Sequence, residues 1–522
     1  MYKTIILVFI LSFFAAGSPA QRPVSAIKAV LLRGPYLQAA TPNSIVIRWR
    51  TDVLTRGIVH FGKDRTLLDR NEKDSILVSE HMIRLQNLEP GTKYFYSIGS
   101  FKDTLQTGAG NYFVTLPPPG TEALYRIAAV GDCGNNSVNQ RSVRDQLIHY
   151  LGDQDLNAWI LLGDNAYSTG RDAEFQSNFF NIYKDNLLPK YPLYPSPGNH
   201  DYYDGDSSEE KVQHTHQVAY YHNFSMPTDG EAGGIPSHNP AFYSFDLGNI
   251  HFLSLDSYGI EEDKYRLYDT LGPQVRWVKK DLDAYQATHP NNGWVIAYWH
   301  HPPYTMGSHN SDKEGELVHI RENFIQILER YGVDLILCGH SHDYERSRLI
   351  KGHYGMEASF SPANVINGSS ALYDGTANSC PYTKDSAAEY RGTVYVVSGS
   401  AGQLGGKQTS FPHEALPFSD AEHGGAGMLE IQGNRLDWKW ICADGTIRDH
   451  FTMMKNVNRH ETRTIRKGQS ITLTASFTGD YRWSDGKATT KSIDVHPNST
   501  RVYTVKDNFS CLEDRYEVKV VR

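Results

Sequence analysis

The first part of the chain consists of short segments in which hydrophobic and polar residues alternate. Residues 44–49 (SIVIRW) and 93–98 (KYFYSI) are examples, and turn-forming residues separate such segments. A two-residue period with close turns is typical of strands that bury one face, so it predicts a small β-sandwich. The run Pro117-Pro118-Pro119-Gly120 is a stiff break in this pattern, and we place the β domain at residues 28–119.

A different pattern follows, in which nearly continuous apolar runs alternate with longer segments that can form helices. Residues 143–151 and 321–331 are the clearest candidate helices. The apolar runs are residues 125–130, 158–162, 295–299, 333–338 and 393–397. Runs that are apolar on both faces and separated by helices predict an α/β domain, whose sheet is covered by helices on both sides. We assign this domain to residues 120–455.

Strand-like alternation returns in the last part of the chain. Residues 470–474, 502–505 and 516–521 have this pattern, and a turn is predicted at Trp483-Ser484-Asp485-Gly486. These features predict a second small all-β domain over residues 456–522.

The charge balance excludes some classes of function. The 522 residues contain 51 Lys plus Arg and 59 Asp plus Glu, a formal net charge of −8. A general binder of nucleic acid or of anionic membranes needs a basic surface, so neither role is expected. An anionic substrate stays possible, because a local cationic centre can outweigh the overall sign.

The N-terminus predicts export. Residues 1–20 contain one lysine, an apolar run from 4 to 16, and small residues that end at Ala20. The run is shorter than the roughly 20 residues that span a bilayer and is typical of a signal peptide. An uncleaved anchor is the alternative. No later stretch is long and apolar enough to cross a membrane, so we expect an exported, soluble protein.

The five cysteines are too few and too scattered for a disulfide scaffold, and their odd number leaves at least one free thiol. Cys133 and Cys338 end apolar runs and are predicted to be buried. Cys380 and Cys442 could pair, but the sequence does not decide this.

Metal-compatible residues follow the apolar runs or a Pro-rich extended segment. Glycine precedes several of these residues and allows the tight turn that brings a side chain to the edge of a sheet. Because ligand sites gather at the carboxyl ends of strands, these side chains are expected to converge. The motifs are Gly131-Asp132, Gly163-Asp164-Asn165-Ala166-Tyr167, Gly198-Asn199-His200-Asp201, His300-His301 and Gly339-His340-Ser341-His342.

The chemistry of this set points to two hard or borderline metal ions. It offers two Asp, one Tyr, one Asn and three or four His, without a thiolate. Such ligands suit Fe, Mn or Zn. They are too many for one tetrahedral ion, and a carboxylate shared between two ions is the usual arrangement in two-metal hydrolases.

The ordered motifs GDCG, GDNAY, GNHD, a strand that ends in His, and GHSHDYER resemble those of the purple acid phosphatases, within the calcineurin-like metallophosphoesterases. The resemblance covers roughly residues 124–450. It implies a metallophosphoesterase β-sandwich flanked by helices (αββα). The N-terminal domain resembles the fibronectin-type-III-like sandwich of the larger members. The C-terminal domain resembles, more weakly, immunoglobulin-like modules of bacterial surface and secreted proteins.

The resemblance also implies a role for each residue. The first metal, Fe(III), would be bound by Asp132, Asp164, Tyr167 and His342. Asp164 would bridge to a divalent Fe, Zn or Mn ion, whose remaining ligands would be Asn199, His300 and His340. His200 and His309 match histidines that contact phosphate or donate a proton to the leaving group, and Asn199 would also contact substrate. One departure is His309-Asn310, where some members have two adjacent histidines. Independently of the family, Asp201 is predicted to orient the imidazole of His200.

The implied activity is hydrolysis of phosphate monoesters by attack of a metal-activated hydroxide. The first alternative is a phosphodiesterase or nucleotide phosphatase with a Zn or Mn centre, because the same core serves both reactions. The second alternative is a surface binding or adhesion protein whose β domains carry the function. We expect a periplasmic, cell-surface or secreted protein, with envelope association through the C-terminal domain as a possibility.

Overall fold

The structure is a computed structural model that describes residues 28–203, 209–289, 293–385 and 391–522. The predicted signal peptide, residues 1–20, lies outside the described residues. No helix within the described ranges is long and apolar enough to cross a membrane.

The first region contains strands in two sheets. Strands β1, β2 and β5 are neighbours in one sheet, while β3, β4, β6, β7 and β8 form the other. Buried side chains such as Trp49, Phe61 and Tyr94 belong to one continuous core. The strands predicted at residues 44–49 and 93–98 are confirmed as β2 and β6, although Ile45–Trp49 are buried on both faces instead of one. The strands are β1 (Leu31–Gln38), β2 (Ile45–Thr55), β3 (Gly57–Gly62), β4 (Arg70–Lys73), β5 (Val78–Leu85), β6 (Lys93–Ser100), β7 (Thr104–Gln106) and β8 (Tyr112–Val114).

The central region is built on two mixed sheets, and each of the five predicted apolar runs forms a strand. Its strands are β9 (Leu124–Val130), β10 (Ala158–Leu162), β11 (Leu193–Ser196), β12 (Tyr243–Leu247), β13 (Ile250–Ser254), β14 (Trp294–Tyr298), β15 (Leu335–Cys338), β16 (Tyr344–Arg346), β17 (Leu349–Ile350), β18 (Val365–Asn367), β19 (Tyr382–Lys384), β20 (Val394–Ser398), β21 (Phe418–Asp420), β22 (Gly425–Gln432), β23 (Arg435–Cys442) and β24 (Ile447–Lys455).

The larger sheet has the order β19-β24-β23-β22-β9-β10-β11-β1-β2-β5. It continues into the first region because β1 pairs in parallel with β11, through Gln38 and Leu193. The second sheet has the order β12-β13-β14-β15-β20-β16-β21. The first region is therefore joined to the central region by strand pairing as well as by the linker.

Helices connect these strands. Helix α1 begins after Ser137, whose side chain accepts a hydrogen bond from the Gln140 backbone amide, and it ends at Gly152. The helix predicted at residues 321–331 is confirmed, although its first turn is a π-helical segment, Ile320–Phe324, that continues into α8. The helices are α1 (Val138–Leu151), α2 (Asp172–Glu174), α3 (Asn181–Tyr183), α4 (Glu209–Thr215), α5 (Ala219–Asn223), α6 (Pro273–Thr288), α7 (Gly315–His319) and α8 (Ile325–Tyr331).

The two central sheets pack face to face. The ring of Tyr194 on β11 stacks on Phe245 of β12, with centroids 3.8 Å apart. The hydroxyl of Tyr298 on β14 donates to the carbonyl of Tyr194 at 3.1 Å. Strands β9, β10 and β11 are parallel, as are β13, β14 and β15. Their carboxyl ends meet at one edge of the two sheets, and the predicted metal ligands lie there.

The last region contains β25 (His460–Arg466), β26 (Ile471–Thr474), β27 (Arg482–Trp483), β28 (Ser492–Val495), β29 (Arg501–Lys506) and β30 (Glu513–Val521). A disulfide between Cys380 and Cys511 ties this region to the segment before β19. The pairing of Cys380 with Cys442 that the sequence left open is therefore wrong. Cys442 lies on β23 as a buried free thiol, and Cys133 and Cys338 are buried free thiols, as expected.

Candidate metal centre

Tight turns at the strand ends bring the predicted ligands to one edge. Asp132, Asp164 and His340 follow β9, β10 and β15, each after one glycine, and each has a positive φ of 54°, 52° and 69° respectively. Non-glycine residues with positive φ are uncommon and concentrate at functional sites. Glycine is required for the close approach, because a Cβ on Gly198 would lie 2.2 Å from Asp164 Oδ1. The local backbone is thus shaped to crowd these side chains together.

One group of donors surrounds Asp132. The Tyr167 hydroxyl donates to Asp132 Oδ1 at 2.9 Å and lies 3.0 Å from His342 Nε2. His342 Nε2 is also 3.5 Å from Asp132 Oδ1. Tyr167 and His342 therefore both point at the same carboxylate.

A second group of donors surrounds His300. Its Nδ1 donates to the carbonyl of Leu162 at 2.9 Å, which leaves Nε2 of the neutral ring with a lone pair. That nitrogen lies 3.0 Å from Asn199 Oδ1, 3.3 Å from Asp164 Oδ2 and 3.1 Å from His340 Nδ1. These buried acceptor atoms converge, and a cation at their centre would compensate them.

Asp164 lies between the two groups. Ligand atoms of Asp132, Asp164 and His300 are all within 4.8 Å of one another. Oxygen and imidazole donors at this spacing fit a pair of Fe, Mn or Zn ions. The residues present therefore suit the dinuclear centre that the sequence predicts.

The electrostatics of the site follow from burial and close charges. Burial lowers the pKa of His300, but the Asp164 and Asp132 carboxylates outweigh it and raise this pKa to about 9. Burial of Asp164 raises its pKa, but His300, His200 and His340 outweigh that effect and depress it. For His340, burial dominates and lowers the pKa to about 3. The two carboxylates therefore favour positive charge at His300, whereas burial of His340 favours its neutral form.

His200 and His309 lie beside this cluster, and about a third of each side chain is exposed. His200 Nε2 is 3.9 Å from Asp164 Oδ2, and its ring centroid is 4.7 Å from that of Tyr167. The His309 ring stacks on His340 with centroids 3.7 Å apart. Both histidines therefore border the ligand cluster and reach solvent.

The geometry contradicts the role predicted for Asp201. The Nδ1 of His200 lies 2.7 Å from the carbonyl oxygen of Ser168, which fixes the ring. The Asp201 carboxylate instead accepts hydrogen bonds from the Gly198 amide and from the backbone and side-chain amides of Asn165. Burial and the nearby Asp164 carboxylate raise the pKa of Asp201 to about 8. Asp201 therefore ties together the two loops that carry Asp164 and Asn199.

Glu314 is a site residue that the sequence did not reveal. Its Oε2 lies 2.8 Å from His309 Nδ1 and 3.5 Å from His340 Nε2, and Oε1 accepts from the Asn310 amide at 2.7 Å. Glu314 holds the ring of His309, and its contact with His340 Nε2 leaves His340 Nδ1 facing His300. It lies in a polar loop with no strand before it, so no sequence pattern distinguishes it from a surface glutamate.

Comparison with known proteins agrees with this geometry. Residues 125–344 match the family model of calcineurin-like phosphoesterases. The chain is 28% identical over 292 residues to purple acid phosphatase 15 of Arabidopsis thaliana, a match that covers 52% of this chain and 50% of that protein. It is 26% identical over 387 residues to acid phosphatase type 7 of Homo sapiens, covering 69% of this chain and 75% of that protein. The chain thus spans about half the length of the first of these relatives.

Solved structures support the fold. A purple acid phosphatase from yellow lupin (Lupinus luteus) seeds superimposes with a TM-score of 0.60 and 19% identity, covering 81% of this chain and 74% of that one. The structure of PhoD gives a TM-score of 0.54 at 12% identity, covering 92% and 91%. The central region therefore has a metallophosphoesterase fold, which confirms the α/β class predicted for it.

Proposed function

We propose that this protein is a dinuclear metal-dependent phosphatase of the purple acid phosphatase type, which hydrolyses phosphate monoesters. The observation that carries the proposal is the position of Asp164, a carboxylate between the donor group at Asp132 and the donor group at His300. In two-metal hydrolases, a shared carboxylate holds the two cations roughly 3.5–4 Å apart. The match to the phosphoesterase family model and the acid phosphatases among the relatives support the same activity.

The two donor groups divide the ligands. The first cation, Fe(III), would be held by Asp132, Asp164, Tyr167 and His342, and the second, a divalent Fe, Zn or Mn ion, would be held by Asp164, Asn199, His300 and His340. When bound, the pair supplies positive charge for a phosphate and lowers the pKa of a water molecule from 15.7 toward about 7. Asn199 is neutral, so it fills a coordination position without cancelling that charge.

The two partly exposed histidines, His200 and His309, would contact the substrate. His200 lies beside Asp164 and Tyr167, and with Nδ1 donating to the Ser168 carbonyl, Nε2 of its imidazolium form would donate a hydrogen bond to a phosphate oxygen. His309 is held through Nδ1 by Glu314, so in the imidazolium form, which carries a proton on both nitrogens, Nε2 would pass its proton to the oxygen of the leaving group. General acid catalysis of this kind contributes roughly 10²- to 10⁴-fold.

The test is metal analysis of the purified protein together with its visible spectrum and its substrate preference. The expected result is two metal ions per chain, including iron, and a tyrosinate-to-Fe(III) charge-transfer band. Turnover of p-nitrophenyl phosphate should exceed that of bis(p-nitrophenyl) phosphate. A colourless protein that holds only zinc or manganese would place it among the generic metallophosphoesterases, and a preference for the bis-ester would favour the phosphodiesterase alternative.

The proposed location is outside the cytoplasm. The predicted signal peptide supports export, and so does the Cys380–Cys511 disulfide, because disulfides persist in oxidising compartments. Expression of the full chain in a host with a secretory pathway should give an exported protein whose N-terminus follows Ala20. Association with the cell envelope through residues 456–522 is a further prediction, which fractionation of the same cells tests.

A further inference from the structure

Tyr203 is hydrogen-bonded to one of the proposed metal ligands. It follows the short 3-10 helix His200–Tyr202, so its side chain returns toward Asn199. The hydroxyl of Tyr203 accepts a hydrogen bond from Asn199 Nδ2 at 2.9 Å. The ring of Tyr203 also packs edge-on against His200, with centroids 4.9 Å apart. Tyr203 thus contacts Asn199 on the side away from His300.

The two ends of the Asn199 carboxamide are chemically different. Its Oδ1 lies 3.0 Å from His300 Nε2, where it can serve as a ligand, whereas an NH₂ group in that place has no lone pair to offer a cation. A carboxamide can turn by half a rotation about its last bond with little steric change. A neighbouring group must therefore favour the orientation in which Oδ1, and not Nδ2, faces His300.

We propose that Tyr203 is a positioning residue that fixes the Asn199 carboxamide with its oxygen toward the second cation. This inference rests on the dinuclear centre proposed above. The Tyr203 hydroxyl accepts a hydrogen bond from Nδ2 and so holds the nitrogen on the outer side. The motif GNHDYY supplies both partners, because Asn199 and Tyr203 are four residues apart on one compact turn.

Loss of the hydroxyl has a defined consequence. Without an acceptor for Nδ2, the inverted carboxamide becomes more populated, and the apparent affinity for the second cation falls with the fraction that is correctly oriented. Removal of a partner that orients a metal ligand typically costs 10- to 100-fold in metal affinity. The first cation does not use Asn199, so its binding should not change.

The experiment uses the full chain with iron in the first site and with the second site depleted by dialysis against a chelator. Titration with Zn²⁺ should show that Tyr203→Phe raises the Kd of the second site roughly 10- to 100-fold, while the visible band keeps its position and intensity. The matched control is Tyr258→Phe, which removes a hydroxyl from a ring 6.4 Å from Tyr203 and leaves the hydrogen bond to Asn199 in place. This control should bind Zn²⁺ as the unmodified chain does.

A second comparison, made in the Asn199→Asp variant, distinguishes orientation of the carboxamide from general structural support by Tyr203. In Asn199→Asp, both ends of the side chain are oxygen, so adding Tyr203→Phe should change the Zn²⁺ Kd by less than about twofold. An unchanged Kd for Tyr203→Phe alone, or equal losses in both backgrounds, would overturn the orienting role. If the unmodified chain binds no Zn²⁺ at the second site, the proposed dinuclear centre is wrong. That result is distinct from the two outcomes that would overturn the orienting role alone.

Discussion

The position of Asp164 between two donor groups makes it different from every other ligand in the centre. Asp132 accepts hydrogen bonds from the Tyr167 hydroxyl and the His340 backbone amide and lies 3.5 Å from His342 Nε2. Asp164 Oδ2 lies 3.3 Å from His300 Nε2, and ligand atoms of Asp164 and Asp132 are within 4.8 Å of each other. We therefore expect Asp164→Ala to lose both metal ions and at least about 10³-fold in activity, since the charge that stabilises the transition state is lost. Asp132→Ala should lose the first ion and keep partial occupancy of the second site.

Metal content per chain, measured after gel filtration, checks this pair of variants. Asp201→Asn is a suitable control. Asp201 is a buried aspartate at the same edge of the sheets, but its carboxylate accepts hydrogen bonds from loop amides. It should keep two metal ions and lose only stability. Two ions and full activity in Asp164→Ala would refute the shared carboxylate.

Tyr167 should be the source of the colour. Its hydroxyl lies 2.9 Å from Asp132 and 3.0 Å from His342, so the oxygen is directed into the first site. Tyr167→Phe should abolish the visible charge-transfer band while the second cation stays bound. Absorption spectra recorded beside metal analysis measure this, with Tyr258→Phe as the control that keeps its colour. A band that survives in Tyr167→Phe would show that another residue is the chromophore.

Individual side chains could be predicted from sequence where a strand end fixed their place. Asp132, Asp164 and His340 each follow a buried strand and a glycine, so their convergence follows from the sheet. The role of Asp201 was mispredicted because neighbours in sequence need not point the same way. Asp201 turns inward to backbone amides, while His200 faces solvent.

At the scale of elements, a buried histidine joins β12, β13 and α6. His251 places Nδ1 2.7 Å from Asp246 and Nε2 2.7 Å from Asp281. Burial lowers its pKa, but the two carboxylates outweigh that effect and raise the pKa to about 9. Because the folded pKa lies above the unfolded value of about 6.5, this stabilisation is complete below about pH 6.5 and is lost as the pH rises to about 9.

Replacement of His251 should therefore lower the melting temperature more in mild acid than in base. We expect the difference in melting temperature between the unmodified chain and His251→Gln to be larger at pH 6 than at pH 9, by at least about 2 °C. Thermal denaturation at the two pH values measures it. His149→Gln, at an exposed position of α1, serves as the matched control, because it makes the same substitution outside the core. An equal difference at both pH values would contradict the paired state of His251.

Strands were more predictable than helices at this scale. The five apolar runs all form strands, because a strand that is buried on both faces leaves an unmistakable pattern. The segment 321–331 was predicted as one helix, but it opens with a π-helical turn. Both Ile320 and Phe324 are buried in the core, and the spacing of apolar residues does not distinguish a π-helical turn from an α-helical one.

For the whole molecule, the sequence predicted three regions but not how they are joined. The pairing of β1 with β11 connects the first and central regions through Gln38 and Leu193, and no local pattern encodes a partner 155 positions along the chain. The same holds for the disulfide. Cys380 and Cys511 are 131 residues apart, and their pairing depends on where the last region docks.

The disulfide should hold the last region against the central one. The last region also contacts the central region through hydrogen bonds from Tyr373 to Asp507 at 2.9 Å and from Asn434 to the Ser476 carbonyl at 2.8 Å. A cross-link that closes a loop of this length contributes roughly 3–5 kcal/mol. Cys511→Ser should therefore expose the chain near residue 456 to proteolysis. Hydrolysis of p-nitrophenyl phosphate should stay unchanged, because β19 lies four strands from β9 in the sheet, about 19 Å away.

Limited proteolysis followed by mass spectrometry and an activity assay tests this arrangement. Cys442→Ser is the matched control, because it replaces a buried cysteine of β23 and leaves the cross-link intact. The control should be cleaved at the rate of the unmodified chain, and Cys511→Ser should release a fragment of about the size of residues 456–522 while the remainder stays active. Equal cleavage of the two variants would mean that the noncovalent contacts alone hold the last region in place. A loss of activity in Cys511→Ser that follows release of the fragment would instead show that this region supports the metal centre.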